Sequence, residues 1–435
     1  MKAKGWLVAC ILGIIAIVAT SAQCLAAGFA LWEGSARGIA LGDAVVGRAD
    51  DPSAVFYNPA GITQLPGIQV MMGGTAIRTQ GDVKVVNGTE IFPGVPNPGV
   101  PLVETVNGTQ STLNGWAFVP NFYLTGQCSD RLYLGLGIFS PFGLANQFPN
   151  DWFGAFNSYD AEVQSLTVNP NAAFKINDQL SVAAGLEAME FGLKLRQRLP
   201  FYFGGAYLPP ALSPDARIQG DTWGYGYNLA VHYKPCRFVA VGVAYRSEIT
   251  EGGDMNSYLD WQLGDVHRYS ASHASLTLPD SVAMGVVFYP TDRLSWEVGG
   301  IWTRWSDFNK LQFVFDRPIY GAPVVARVKD WHDTWRFQTG IEYKVLPCLD
   351  LRAGYVYDEE AINDTYADYL LPSNNRHEFS FGAGLHDEHW SLDLAYQFIL
   401  IQDSNITSSS PFYANPSHLR DTQAQLVAAD IAYRF

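Results

Sequence analysis

Two stretches, RFVAVGVAYR at residues 237–246 and WSLDLAYQF at residues 390–398, decide the fold class of this chain. In both, side-chain character alternates from one residue to the next, which is the period of a β-strand whose two faces meet different surroundings. Each stretch follows a short polar turn, KPC at 234–236 and HDEH at 386–389. Runs of about ten alternating residues between turns suit strands that cross a bilayer at a tilt. The pattern therefore predicts an all-β membrane protein.

Short turns of this kind recur along the chain, at 126–131, 175–179, 234–237, 290–293, 344–348 and 386–389. Longer segments rich in Gly, Pro, Asn, Asp and Ser alternate with them, and we predict these as loops: 81–114, 143–160, 199–220, 250–270, 361–374 and 403–421. Short turns on one side and long loops on the other are typical of bacterial outer-membrane barrels. Six turns join seven hairpins, so we expect a 14-stranded antiparallel transmembrane β-barrel that starts near Gly67 and ends with Thr422 to Phe435.

The composition agrees with a membrane barrel. Of the 435 residues, 48% are hydrophobic and only 16% are charged, against about 25% charged in ordinary soluble domains. After residue 26 the chain has no run of about 18 apolar residues, so no transmembrane helix is expected. In lipid, only helices and closed sheets pair every backbone polar group. The net charge of −14 argues against a nucleic-acid partner.

The N-terminal part of the chain differs from the rest. Lys2 and Lys4 precede an apolar run, and small residues precede a cleavage point after Ala26, which predicts an exported chain with a signal peptide at 1–26. Residues 27–66 lack strand alternation, yet they carry apolar side chains such as Phe29 that a solvated tail would not need. We expect a compact hatch inside the lumen at 27–66 and the barrel at 67–435. The alternative for 27–66 is a periplasmic tail.

The C-terminus and the cysteines complete the local signals. The last strand alternates down to a terminal aromatic, Phe435, which resembles the signal read by the barrel-insertion machinery. Three cysteines follow the predicted signal peptide, and each lies in a short turn: Cys128, Cys236 and Cys348. An odd number cannot form a complete disulfide framework. We interpret them as turn residues, with a single disulfide as the alternative.

Several motifs resemble the FadL family of outer-membrane transporters. They occur in the family's order and cover nearly the whole chain after the signal peptide: Ala27-Gly28-Phe29, GIALGDA at 38–44, DDPSA at 50–54, NPAG at 58–61, SPFGLA at 140–145, WGYGYN at 223–228, YRSE at 245–248, LTLP at 276–279 and WTRWS at 302–306. The resemblance implies a 14-stranded barrel plugged by an N-terminal hatch. It also implies transport of long-chain fatty acids or other hydrophobic compounds, including aromatic hydrocarbons.

The same resemblance implies a route for the ligand. The ligand is captured among outer loops and passes to a tighter apolar site near the start of the hatch, where Phe29 would touch it. Movement of the hatch then opens a path, and the ligand leaves sideways through a gap in the wall at a kink in the third strand. A gap requires broken strand pairing, which glycine or a bulge supplies, and Gly135 and Gly137 are the candidates. These glycines could instead only ease strand twist.

Two further sets of residues enter through the resemblance. Asn58, Pro59 and Ala60 would form the hatch turn that faces the kink, or else an ordinary proline turn. Fatty-acid-carrying members place basic residues near the carboxylate, and the matching stretch here, 329–336, offers His332 and Arg336. Further cationic candidates are Lys194, Arg196 and Arg198. A guanidinium or ammonium holds a carboxylate well, a neutral histidine does not, and all five could belong to a lumen ion-pair network.

No enzymatic motif competes with transport, since the chain has no Gly-x-Ser-x-Gly elbow and no phosphate loop. We expect no cofactor and no metal. The expected partners are hydrophobic small molecules, together with the lipid and lipopolysaccharide of the outer membrane, and the expected state is a monomer. The open alternatives are a channel for aromatic hydrocarbons rather than fatty acids, a general porin, an outer-membrane hydrolase and an adhesin-like structural barrel.

Overall fold

A computed structural model describes residues 28–91, 103–203, 206–318, 321–363, 365–371, 373–406 and 417–435. The predicted signal peptide lies outside the described residues. Within them, no helix combines the length and the apolar character needed to cross a bilayer.

The described part of the chain is built mainly from β-strands. In chain order they are β1 Ile68–Ile91, β2 Val103–Ser111, β3 Trp116–Gln127, β4 Leu132–Phe139, β5 Gly143–Gln147, β6 Asp160–Lys175, β7 Leu180–Arg198, β8 Tyr202–Phe203, β9 Ala206–Tyr207, β10 Asp215–Cys236, β11 Val239–Arg246, β12 Ile249–Trp261, β13 Val266–Leu278, β14 Ser281–Thr291, β15 Leu294–Thr303, β16 Lys310–Phe315, β17 Val324–Val328, β18 Thr334–Leu346, β19 Leu349–Asp358, β20 Arg376–His386, β21 Trp390–Ile401, β22 Ser404–Ile406 and β23 Ser417–Arg434.

These strands form one closed wall, apart from the small β8–β9 hairpin in an outer loop. Neighbouring wall strands pair antiparallel, and the ladder between β1 and β23, from Gln69↔Arg434 to Val85↔Ser417, closes the barrel. Seven wall strands consist of two consecutive pieces: β2 with β3, β4 with β5, β11 with β12, β13 with β14, β15 with β16, β17 with β18 and β21 with β22. With the seven uninterrupted ones, the described residues form the predicted 14-stranded barrel.

The alternation that predicts the strands also determines which side chains face the membrane and which face the lumen. In β21, the outward Leu392, Leu394 and Tyr396 are exposed, whereas Asp393 and Gln397 are buried toward the lumen. Apolar side chains outside and polar side chains inside are what a strand in lipid requires. The hydrophobic residues of this strand therefore face the membrane.

Two of the predicted loops are wrong. Residues 82–91 and 103–111 pair as β1 with β2, and the segment at 250–270 is the long β12–β13 hairpin with a turn at 262–265. The last strand likewise begins at Ser417 instead of Thr422. Gly, Asn, Asp and Ser lower strand propensity, but backbone ladders between adjacent strands form without apolar side chains when neighbouring hairpins hold the strands in register.

The segment before the wall, residues 28–66, lies in the lumen as the predicted hatch. It contains α1 Ala36–Ala40, α2 Ala54–Tyr57 and a 3-10 helix at Pro59–Gln64. Ser35 caps α1 because its Oγ accepts the amide of Gly38 at 3.0 Å. Asn58 caps the 3-10 helix in the same way, through a bond from the amide of Ala60 at 3.2 Å. Caps satisfy the free amides at helix starts, so these very short helices are defined locally.

Glycines in the wall let the hatch backbone approach closely. Gly340 and Gly354 face each other across β18 and β19; Gly340 lies against Leu41 of the hatch, and Gly354 lies against Leu41 and Gly42. Gly42 itself has φ of +60°, a conformation that favours glycine. A Cβ at Gly354 would overlap the amide of Gly42. The close contact between hatch and wall therefore depends on the missing side chains.

We predict that Gly354→Ala loosens the hatch, because the added methyl meets backbone that cannot rotate away. Overpacking of this kind costs about 1–3 kcal/mol, and the urea midpoint should fall accordingly. Gly300→Ala is the matched control: a Cβ at Gly300 in β15 meets its nearest neighbours at 3.6 and 3.7 Å, which is ordinary contact. Equal urea midpoints for the two variants would contradict the prediction.

Candidate functional site

A cluster of aromatic rings surrounds Phe29 at the start of the hatch. Its ring centroid lies 5.1 Å from that of Trp305, 5.6 Å from Phe308, 5.8 Å from Phe142 and 5.9 Å from Trp331. All five side chains are buried. We call these five residues the Phe29 cluster. Edge-to-face aromatic packing of this kind makes a tight apolar site.

Interruptions of the wall strands deliver the rings of the Phe29 cluster. Phe142 lies between β4 and β5, Trp305 and Phe308 lie between β15 and β16, and Trp331 lies between β17 and β18. On the hatch side, Gly28 has φ of +59°, and a Cβ there would overlap the Trp305 ring. A wall that continued as regular strands would turn alternate side chains to lipid, so the breaks bring four large rings inward together.

An apolar column continues from the Phe29 cluster toward the long-loop end of the barrel. The cluster and the column form one set of buried hydrophobic side chains, which includes Leu144, Val163, Met189, Phe191, Leu193, Ile249, Met255, Leu276, Leu278, Leu311, Phe313, Phe315, Leu370 and Leu371. Among the described residues, this set is larger than the apolar clusters between the hatch and the rest of the wall. The column is therefore a candidate path for a hydrophobic ligand.

The third wall strand is interrupted beside this cluster. β3 pairs with β4 up to Phe122↔Ile138, and in the described residues β5 has no ladder with β3. The hatch fills the break: the amide of Leu31 donates to the carbonyl of Pro141 at 2.8 Å, and the amide of Gly143 donates to the carbonyl of Phe29 at 2.9 Å. Ala30 and Phe142 form the antiparallel bridge between these bonds. The first residues of the hatch thus pair with the interrupted part of the third wall strand.

The predicted position of the break at Gly135 and Gly137 is wrong. Both glycines lie inside β4 and pair on both sides, Gly135 with Thr125 and Asn171, and Gly137 with Tyr123 and Asn169. A Cβ at either position would press on Val55 of α2. These glycines therefore make room for the hatch, and the break falls at residues 140–142, where Pro141 has no amide to donate.

The turn at Asn58, Pro59 and Ala60 is held inside the lumen by hydrogen bonds of Asn58, and its predicted position opposite the kink stays a prediction. The side-chain amide of Asn58 donates to the carbonyl of Val46 at 2.9 Å and to that of Val231 in β10 at 3.1 Å. All three turn residues are buried. The residues that face the break are Phe29 to Leu31, together with Phe56, whose ring lies 4.9 Å from that of Phe139.

Arg336 joins the hatch to the wall rather than offering a free charge. Its guanidinium contacts Glu378 at 2.6 and 2.9 Å, Asp358 at 3.3 Å and Asp43 of the hatch at 2.9 Å. The side chain is only 6% exposed. Burial, with Asp43 as the next cause, raises the pKa of the nearby hatch carboxyl Glu33 to about 8. Arg336 is thus already surrounded by acidic groups.

A second ionic cluster holds the other half of the hatch. Arg48 contacts Glu297 at 3.4 Å and Glu342 at 3.0 Å, and Arg37 contacts Glu342 at 3.1 Å and Asp50 at 2.7 Å. The carboxylate of Glu297 also accepts the backbone amides of Gly47 and Arg48. Removing one partner of such a buried network leaves an uncompensated charge, which costs more than the network gains.

The remaining predicted cations lie at the outer end or on the surface. Lys194 contacts Asp160 at 2.8 Å, and Arg196 contacts Asp215 at 2.6 Å. Arg198 donates to the carbonyls of Asn150 and Ser213. His332 is exposed, beside the buried Trp331. The structure therefore gathers Lys194, Arg196 and Arg198 at one end of β7 and keeps them apart from Arg336.

The short-turn end of the lumen is polar. A cavity of about 430 Å³ opens there between the hatch and the turns. Its lining includes Arg37, Asp50, Glu342, Arg352 and His386. Such a vestibule suits water and ions and opposes an apolar solute. The hatch separates it from the Phe29 cluster.

Sequence reasoning found Phe29 but not the four rings around it. Phe142, Trp305 and Phe308 lie in or next to motifs that carry the family resemblance but do not by themselves predict a ring cluster. The usable signal is an aromatic residue beside Pro, Asn or Asp within an otherwise alternating stretch, as in SPF at 140–142 and WSDFN at 305–309. Such spots mark strand interruptions that turn a large side chain inward.

Comparison with known proteins agrees with this architecture. Residues 16–435 match the sequence profile of a family described as outer membrane protein transport protein (OMPP1/FadL/TodX). The chain is 25% identical over 404 residues to outer membrane protein P1 of Haemophilus influenzae, with 86% of each chain covered. It is 25% identical over 399 residues to a long-chain fatty acid transport protein of Escherichia coli, with 85% of each chain covered.

Solved structures share the fold. A FadL homologue of Pseudomonas aeruginosa superposes with a TM-score of 0.79 at 22% identity, over 94% of this chain and 100% of the other. The toluene transporter TbuX of Ralstonia pickettii superposes with a TM-score of 0.66 at 18% identity, over 92% of this chain and 98% of the other.

We predict that Arg336→Met releases the hatch, because Asp43, Asp358 and Glu378 would lose their shared cation. Loss of one partner of a buried ion network costs about 3–5 kcal/mol. Limited trypsin digestion should then cut after Arg37 and Arg48, which are protected in the native barrel. Lys194→Met is the control, since its ammonium is 36% exposed and such pairs contribute at most about 1 kcal/mol. Equal trypsin resistance of the two variants would refute the anchoring role.

Proposed function

The chain belongs to the outer membrane protein transport family (OMPP1/FadL/TodX), and on that premise we propose that it takes up hydrophobic compounds through a lateral exit in its wall. The ligand path runs from the outer loops along the apolar column to the Phe29 cluster. It ends at the break between β4 and β5. The family membership makes the protein an outer-membrane transport protein and not an enzyme.

One observation carries the proposal. The backbone of Phe29 to Leu31 pairs with residues 141–143, so the same segment lines the aromatic cluster and fills the break in the wall. A ligand that displaces Phe29 would also withdraw the segment that completes the wall. Binding and opening are then one movement.

The cost of that movement is small compared with moving the whole hatch. Two backbone hydrogen bonds hold the segment in the break, whereas release of the whole hatch would also break buried ion networks. The rest of the hatch is fixed by the buried ion pairs of Arg48 and Arg336. The hatch therefore acts as a gate at its first residues while its body stays in place.

A lateral exit also fits the energetics of an apolar cargo. Each CH₂ group returned to water costs about 0.8 kcal/mol, and the vestibule beneath the hatch is lined by charged side chains. Leaving through the wall transfers the cargo from an apolar column directly into lipid. The polar end of the lumen then remains closed.

Capture takes place among the outer loops. Phe148 and Trp152 stack with ring centroids 4.0 Å apart, and Trp152 packs against Tyr369 of another loop at 5.0 Å. The side-chain amide of Asn146 donates to the carbonyl of Tyr369 at 2.9 Å, which ties the two loops together. This aromatic cover gives an apolar ligand its first contact.

The cargo we favour is neutral, such as an aromatic hydrocarbon. The five residues of the Phe29 cluster include no cation, and Arg336 is occupied by three carboxylates. The toluene transporter among the similar structures carries a cargo of this class. A long-chain fatty acid is the second candidate. It is favoured by Lys194, Arg196 and Arg198 at the outer end of β7, where a carboxylate could stay while its chain enters the column.

The apolar side chains on the outer surface of the barrel indicate which molecules surround it in the membrane. Outward aromatic and aliphatic side chains contact the lipid and lipopolysaccharide of the outer membrane. Phe435 is 70% exposed at the end of the last strand, where the barrel-insertion machinery could read it. A plugged barrel of this kind needs no second copy, so we propose a monomer.

The test locks the gate with a disulfide. Cys128, Cys236 and Cys348 are exposed and unpaired, so they are first replaced by Ser. Ala30→Cys with Phe142→Cys then joins the two residues of the bridge, whose spacing suits a disulfide. We expect oxidised cells to lose uptake of radiolabelled toluene and oleate, and dithiothreitol to restore it.

The control pair is Ile77→Cys with Ala117→Cys, which face each other in the continuous β1–β3 ladder. Its uptake should be the same when oxidised and when reduced. If the locked hatch still admits both compounds, lateral exit at this break is wrong. If the wild-type protein admits neither and conducts ions freely in a planar bilayer, the porin alternative takes its place.

A further inference from the structure

A single carboxyl group interrupts the apolar column. Glu251 lies in β12, points into the lumen and is 1% exposed. Its ladder partner is Leu276 of β13, and the next lumen-facing residue of its own strand is Ile249. Both neighbours belong to the apolar column. Glu251 therefore lies within the path along which the hydrophobic ligand is proposed to move.

This carboxyl group lacks what other buried acids of the wall have. Both of its oxygens are buried and have no hydrogen-bond partner in the described part of the chain. By contrast, Glu342 and Glu378 each accept from arginine side chains, and Glu297 also accepts two backbone amides. A buried polar group without a partner costs free energy. The oxygens of this isolated carboxyl group are therefore free to accept a hydrogen bond from a bound molecule.

The strand beside Glu251 leaves room for the carboxyl group. Gly224 of β10 faces it, and a Cβ there would meet its carboxyl carbon. Gly224 pairs with Met189, another residue of the column. The hydroxyl of the nearby Thr222 already donates to the carbonyl of Gly252 at 2.9 Å. Among the described residues, the Thr222 hydroxyl is therefore not a donor to Glu251.

We propose that Glu251 is a recognition site for a hydroxyl group on the hydrophobic cargo, so that the preferred ligands are phenols or long-chain alcohols. The inference rests on the proposed uptake of hydrophobic compounds and narrows its substrate class. The hydroxyl donates to one carboxyl oxygen, while the ring or alkyl chain packs against Ile249, Leu276 and Met189. The Phe29 cluster then receives the apolar end of the molecule.

A hydroxyl fits this site better than the other polar head groups. An ammonium has three donors, and a single carboxyl group surrounded by aliphatic side chains cannot satisfy them. A fatty-acid carboxylate would bring a second acidic group next to Glu251 and would be repelled. A plain hydrocarbon would leave the carboxyl group unsatisfied. A neutral molecule with one donor gives the carboxyl group a hydrogen-bond partner and adds no second charge.

The test compares two soluble molecules that differ by one hydroxyl, p-cresol and toluene. Their affinities are measured by equilibrium dialysis of the purified full-length protein in micelles, against micelles without protein. Glu251→Leu should weaken p-cresol binding roughly ten- to hundredfold, because the hydroxyl would enter an apolar site without a partner. Toluene binding should stay within about threefold of wild type or become tighter. Glu251→Gln keeps an acceptor and should retain p-cresol binding.

Glu248→Leu is the matched control. This acid lies three residues away, its side chain is 53% exposed and it contacts Arg304 only at 3.9 Å, so its loss should leave the p-cresol to toluene ratio unchanged. An unchanged ratio in a folded Glu251→Leu variant would overturn the proposal, as would tighter binding of dodecylamine than of p-cresol. If toluene binds and enters cells but the p-cresol to toluene affinity ratio is the same in Glu251→Leu and wild type, only this inference fails. If the wild type binds neither compound, the uptake function fails with it.

Discussion

Every backbone amide and carbonyl at membrane depth has to find a partner within the protein, because lipid offers none. The barrel meets this requirement mainly through ladders around its wall, and one interruption of those ladders lies in the third wall strand at residues 140–142. There the first residues of the hatch supply the missing bonds, through Leu31 to Pro141 and Gly143 to Phe29. The hatch is therefore part of the wall as well as a plug. Any movement that withdraws Phe29 exposes the unpaired backbone of residues 141–143. That edge then contacts only the apolar cargo and the lipid.

The hatch divides into a part that is fixed and a part that is free to move. Buried ion networks around Arg48 and Arg336 fix its body to wall strands on several sides of the lumen. Its first residues, Phe29 to Leu31, are held by two backbone hydrogen bonds and by apolar contacts. Ion pairs of this kind are costly to break one partner at a time, and movement of the first residues alone leaves these ion pairs intact. Gating by a short segment requires no unfolding of the plug.

Strand number, barrel closure and the presence of a hatch could be predicted from the sequence, because alternation and turn chemistry are local signals. The position of the break could not, since Gly135 and Gly137 look like breaking points but pair on both sides. The break lies at residues 140–142, and Pro141 within it has no amide to give to a ladder. The ion-pair partners of Arg336 could not be predicted either, for a different reason. Arg336 contacts Asp43, which is 293 residues away in the chain, and such long-range pairing leaves no local trace. The lumen-facing position of Glu251 could not be predicted either, because residues 250–270 have the composition of a loop.

Amide hydrogen exchange of the purified protein in micelles, with and without toluene, tests most directly whether the start of the hatch gates the wall. We expect toluene to speed exchange at Leu31 and Gly143, whose amides form the hydrogen bonds across the break, and to leave the Gly47 amide protected by Glu297. Faster exchange throughout residues 28–66 would mean that the whole hatch leaves the lumen. Unchanged exchange at Leu31 and Gly143 while toluene binds would contradict a gate at this break.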